Sequence, residues 1–347
     1  MSVDRAVWIA ALAAAAGWTV AARGEWAMGG YVPEGQATQF RAAAGGIFEF
    51  EGMVEETTRK YYDAVGRTSS QMDAEDYSTD DFNLDGFHGM VGLALNKNWQ
   101  GFRLELDTSF LNPSTDTVAS RDYWLSVQGD VDYRGKSYDH LMIPAGTPFS
   151  MEAFGNLTEL TLSLVPFGYR SERGWLTVSP MLDAGLLAVV GQYKIDAGET
   201  HGVREYQNPP EEFAVGGKSD GFAGAALPQL GVGVNVVAGD ASGLQLELDA
   251  HYLMMSYNGS TGFFTTAEHR KKDLDLDHKN IRLRGALTFP MGRARFLAGV
   301  QVELIDLEGT LESTGATREE IIARRERFDK EFSFTLHSVM ATAGFVF

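Results

Sequence analysis

The chain has 347 residues, no cysteine, 39 glycines against 10 prolines, and a formal charge of −18 from 29 basic and 47 acidic side chains. Its 44% hydrophobic content excludes a disordered or collagen-like polymer, and the lack of cysteine excludes a disulfide scaffold. A pI near 4.8 leaves no basic field, so no nucleic-acid partner is expected.

In chain order, residues 1–5 are a short polar start carrying Arg5, residues 6–16 an unbroken apolar run, and Val20-Ala21-Ala22 places small residues where a signal peptidase cuts. Residues 1–22 are predicted to be a secretory signal peptide. Beyond residue 22 no stretch approaches the roughly 18 consecutive apolar residues of a helical membrane span. The dominant period there is two, not 3.6. Phe102, Leu104, Leu106 and Phe110 alternate with Arg103, Glu105 and Asp107, and residues 244–252 repeat the device. Strands are predicted at 47–55, 87–96, 102–110, 160–169, 176–190, 230–236, 244–252, 281–289, 296–304 and 339–347.

Four connections are tight and rich in turn formers, at 97–100, 171–173, 239–242 and 291–294. Five are long and polar, at 63–85, 112–156, 197–221, 258–279 and 310–331. Short and long alternate strictly. A soluble sandwich has no reason to sort loop lengths by end, whereas an outer-membrane barrel has short periplasmic turns and long external loops. With both termini on the tight-turn side, four turns and five loops require ten strands. The predicted fold is therefore all-β: an antiparallel up-and-down transmembrane β-barrel of about ten strands. Residues 23–45 are expected as a periplasmic N-terminal segment and 46–347 as a single barrel domain. Within the large external loop 113–155, residues 123–127 and 130–133 read as a hairpin above the membrane; a further membrane hairpin would make twelve strands. Thr317-x-x-Glu320 is a capping box that predicts a short helix at 317–328.

Val339, Ala341, Ala343, Phe345 and Phe347 share one face of the final strand, which stops on Phe347 itself. This resembles the C-terminal signature of bacterial outer-membrane β-barrel proteins. The resemblance implies a bacterial outer-membrane location, contact with outer-membrane lipid and lipopolysaccharide, and recognition of Phe345 and Phe347 by the barrel-assembly machinery. A monomer is expected.

If the apolar positions face lipid, the lumen receives Arg103, Glu105, Asp107, Glu247, Asp249, His251, Arg282, Arg284 and Glu303. The same phasing adds Glu49, Glu51, His88, Glu159 and Asp183, which makes nine acids against three arginines. Counting from the turns puts Arg282 and Arg284 level with Asp249 on one neighbouring strand and Glu303 on the other, and ion pairs are predicted there. Ten strands make a narrow tube. With so many acids inside it should be wet, mostly occluded and, if open, cation-preferring.

No catalytic set, cofactor site or metal site is predicted. Asp139-His140, Asp277-His278 and Asp273-x-Asp275-x-Asp277 are similar in kind to the acid–histidine rim of omptin-type surface proteases, but do not align with that family's catalytic arrangement. The carboxylates from Asp73 to Asp85 match no calcium-loop spacing. The favoured reading is a non-enzymatic surface or structural protein that binds partners through its external loops. The alternatives are a small porin-like channel and an omptin-like or lipid-modifying hydrolase.

Overall fold

The computed structural model describes residues 24–30, 38–62, 68–72, 75–82, 84, 87–133, 136–198, 200–204, 211–215, 218–240, 242–260, 273–312 and 326–347. The predicted signal peptide lies outside them. Ten long strands form the body: β1 (Thr38–Tyr62), β2 (His88–Trp99), β3 (Phe102–Leu111), β4 (Pro148–Leu164), β5 (Leu176–Ala197), β6 (Lys218–Gly239), β7 (Gln245–Ser260), β8 (Asp273–Met291), β9 (Ala294–Glu312) and β10 (Glu326–Val346). Each pairs antiparallel with the next, and β10 pairs with β1, so the sheet closes into a ten-stranded up-and-down barrel with the architecture of a transmembrane barrel. Closure leaves the ten strands no free edge within the paired wall. Hairpin tips fall at Gly101 and Gly292, whose positive φ of 85° and 69° suits glycine.

Four features depart from the sequence-based expectation. The barrel starts at Thr38, not at residue 46, because Gln39 to Ile47 pair along β2. The run Ala42-Ala43-Ala44-Gly45-Gly46 has no size or polarity contrast, so its period is invisible in sequence. Gly24–Met28 forms a short strand against Phe167–Ser171 at the tight-turn end. The predicted strand 160–169 is broken at Val165-Pro166, where proline has no N–H for a ladder bond. Finally, residues 326–328 of the predicted helix belong to β10; the rest of that helix lies outside the described residues.

The external connections carry structure of their own. Tyr123–Tyr133, Lys136–Ile143, His201–Arg204 and Glu211–Ala214 make a separate four-stranded sheet, so the hairpin of the large loop adds nothing to the barrel wall. Asp81 fastens this region from below: it accepts from the Ser78 amide at 2.9 Å and from Arg121 at 3.1 Å.

The polarity of the wall inverts along its axis while the period of two is kept. On β8, Phe289, Leu287, Leu283 and Ile281 point outward and Thr288, Arg284, Arg282 and Asn280 inward. Two residues higher the assignment reverses: Lys279, Asp277 and Asp275 point outward while Leu276 is buried inside. β9 changes at the same height, from outward Leu304 to outward Asp306 and inward Ile305. The outward apolar stretch 281–289 spans roughly 20 Å along the axis at ~3.3 Å per residue and ~40° tilt, close to the ~25 Å apolar band of membrane barrels. Above it the barrel has an apolar inside and a polar outside, as a water-soluble barrel does.

Candidate functional site

The interior is built in layers. Nearest the turns, Ala286, Leu297 and Val346 form a small apolar floor. Above the floor lies an ionic layer, and above that an apolar septum. Ile47, Met90, Leu111, Leu157, Leu187, Leu227, Leu276, Ile305, Leu336 and Met340 make up this septum, with Met255 and Tyr257 of β7 packed against it. All ten strands therefore reach it. Leu84, Tyr123, Ile143 and Phe149 belong to a further apolar roof under the external sheet.

Arg103, Glu105, Asp107, Glu247, Asp249, His251, Arg282, Arg284 and Glu303 are all buried in the ionic layer. Glu105 is its hub. It lies 2.8 Å from Arg103, 3.1 Å from Arg282 and 3.7 Å from Arg41, and it also pairs with Arg284. Arg103 reaches Asp249 at 2.5 Å, Arg282 reaches Glu159 at 2.9 Å, and Arg284 pairs with Asp107. β8 and β3 stand five strands apart in a ring of ten, so the contacts of Arg282 and Arg284 with Glu105 and Asp107 cross the lumen along its diameter. Arg284 also lies 3.8 Å from Asp249 on the adjacent strand. The expected Arg282–Glu303 pair is not formed, although the two residues are cross-strand partners. In a tube this narrow a guanidinium reaches the far wall, where Glu105 and Glu159 share it. Glu303 makes no ion pair among the described residues.

Two corrections change the charge balance. Arg41, in the segment expected outside the barrel, is a fourth interior arginine, and the neighbouring Gln39 donates to Glu247 at 3.0 Å. Glu49 and Glu51 do not face the lumen. A bulge at Phe48 shifts the β1–β10 register between His337 and Ser338, which turns Phe50 inward and Glu49 outward. Seven carboxylates thus face four guanidinium groups in this layer, an excess of three rather than six. Outside, at the upper edge of the apolar belt, His337 bridges Glu49 at 2.5 Å and Asp306 at 3.1 Å across the seam where first and last strands meet.

His251 Nδ1 lies 2.8 Å from Asp183 and Nε2 3.3 Å from Asp249. The first contact skips over β6, which is feasible because the intervening residue is Gly233. A Cβ there would stand 2.8 Å from both groups. Glu105, Asp249 and His251 offer ligand-type atoms within 4.8 Å of one another, but Arg103 already holds both carboxylates, which does not suit a cation. Asp277 and His278 cannot act as a pair: Asp277 is exposed, whereas His278 points inward beside Gln229 at 3.2 Å. The side chains of Asp139 and His140 lie outside the described residues, as do those of Asp73, Glu75, Asp76 and Asp85 in the first loop. Phe345 and Phe347 are outward and exposed on the last strand.

No family model matches the chain, and no curated protein does. Among solved structures it is similar to the outer membrane protease OmpT from Escherichia coli, at 11% identity over 90% of this chain and 97% of that one, with a TM-score of 0.33. It is also similar to the Pseudomonas putida toluene transporter TodX, at 9% identity over 90% of each chain and a TM-score of 0.18. A Pseudomonas aeruginosa FadL homologue gives 7% identity over 89% of this chain and 90% of that one, with a TM-score of 0.18. Likenesses at this level carry no residue role from those proteins to this one.

Proposed function

We propose that the chain is an integral outer-membrane barrel that is sealed to ions, acts without enzymatic chemistry, and holds its external β-structure rigidly at the surface for a partner to bind. The observation that carries this reading is the septum. Apolar residues from every strand meet across the lumen, and a dry apolar constriction opposes the entry of hydrated ions. Below it the guanidinium–carboxylate network ties opposite walls together, which gives the acidic lumen a bracing role. The split of Asp277 from His278 weighs against an acid–histidine catalyst. Export by residues 1–22 and handling of Phe345 and Phe347 by the assembly machinery belong to the same reading.

Planar-bilayer recording tests it. Refolded wild-type protein is expected to give no discrete conductance steps above the bare membrane in molar salt. Reproducible cation-selective steps would favour the porin-like alternative and end the sealed-barrel reading.

A further inference from the structure

The carboxylates that the ionic layer holds in excess are not equally provided for. Asp183 faces His251 at 2.8 Å, and Glu247 accepts from Gln39 at 3.0 Å and from Asn235 at 3.1 Å. Glu303 alone has neither a cation nor a hydrogen-bond donor among the described residues. The charges that act on it most strongly are the carboxylates of Glu159 and Asp107, ahead of Arg282 and Arg284, whose guanidinium groups are taken by acids of the far wall. Ile305, Leu336 and Met340 of the septum flank it along β9 and β10 and shield it from water. A bare carboxylate in such a place is strongly unfavourable.

Two further oxygens beside it are also unsatisfied. Ser338 is the cross-strand partner of Glu303 on β10, and its buried hydroxyl has no hydrogen-bond partner among the described residues. Asn280 lies on the diagonal on β8, two residues from Arg282, the partner of Glu303 on that side. Its Nδ2 donates to Glu159 at 2.9 Å, which fixes the orientation of the amide and leaves the buried Oδ1 without a donor. Both side chains are 0% exposed. Directly opposite positions stand ~5 Å apart at Cβ and diagonal ones ~7 Å, so a ligand between the strands is within reach of all three groups.

Three adjacent strands thus turn a carboxylate, a hydroxyl and an amide oxygen toward one shielded space. A proton on Glu303 could serve only one of the other two oxygens, and a water would leave the charge uncompensated. Oxygen ligands around a single free negative charge suit a hard monovalent cation.

We propose that Glu303, Ser338 and Asn280 hold one sodium ion beneath the septum, as the counterion of the carboxylate that no arginine reaches. The site rests on the membrane-barrel reading above and is independent of what binds the external surface.

The test uses the full chain refolded into vesicles in sodium chloride or in N-methylglucamine chloride at equal ionic strength. The urea midpoint of wild type should rise with sodium, and protein refolded with radioactive sodium should retain the label after desalting. Glu172→Gln, on an exposed turn, should behave as wild type. Glu303→Gln should lose the sodium dependence and lower the retained label at least five-fold; without sodium it should be at least as stable as wild type, because the bare charge is gone. If that variant does not fold, Ser338→Ala keeps the charge, removes one ligand and should weaken the sodium dependence. A wild-type midpoint that ignores sodium and falls as pH rises would mean that a proton neutralises Glu303, and overturns the site. Label retained equally by wild type, Glu303→Gln and Ser338→Ala places the ion elsewhere and overturns the ligand assignment. Failure of the wild type to insert overturns the membrane reading and the site with it.

Discussion

Glu105→Gln is expected to destabilise the barrel by roughly 3–5 kcal/mol, the usual scale for removing one partner of a buried ion pair. Glutamine keeps the shape but leaves Arg41, Arg103, Arg282 and Arg284 without the carboxylate they share. Two effects oppose each other here. The layer has three carboxylates in excess, so losing one improves its overall balance. The lost contacts are nevertheless local, at 2.8–3.7 Å and shielded from water, and local contacts dominate at such distances. Glu303→Gln is the matched control. Glu303 is buried in the same layer without an ion pair among the described residues, so neutralising it should leave stability unchanged or raise it. Urea midpoints of the two variants refolded into vesicles separate these outcomes. Equal losses would show that the network is not centred on Glu105.

Leu187→Ala should lose about 2–5 kcal/mol, the range for truncating a buried leucine whose surroundings cannot collapse. Leu187 is 1% exposed within the septum, whereas Leu186 is 42% exposed on the opposite face of the same strand. Leu186→Ala should cost much less, since lipid fills the space it leaves. Leu187→Asp is expected to prevent refolding, because a lone carboxylate in this ring has no partner. The same urea titrations read all three. A Leu187→Ala loss no larger than that of Leu186→Ala would mean the septum is loosely packed.

Strand number and the closed barrel were legible because lipid and lumen impose opposite demands on alternate residues, and 281–289 and 296–304 obey them cleanly. Less was legible where contrast failed or the rule changed. Ala42 to Gly46 hides a strand start that carries Arg41 into the lumen. The bulge at Phe48 reverses a phase that simple counting assigns to Glu49. Asp275-Leu276-Asp277 reads as an acidic loop if apolar must mean outward, yet it continues β8 with the sides exchanged. Of the interior network, membership followed from phase. Partnership did not: turn counting ranks neighbours on adjacent strands, whereas Arg282 and Arg284 make their closest ion pairs with acids elsewhere around the ring.

The proposed passage of the wall from lipid to water between Ile281 and Lys279 can be measured directly because the natural chain has no cysteine. Single cysteines at positions 275, 277, 279, 281, 283 and 287, labelled with a nitroxide in refolded vesicles, report collisions with oxygen dissolved in lipid or with an aqueous nickel chelate. Oxygen-dominated relaxation is expected at 281, 283 and 287 and nickel-dominated relaxation at 275, 277 and 279. Nickel access at 283 and 287 equal to that at 277 would contradict it.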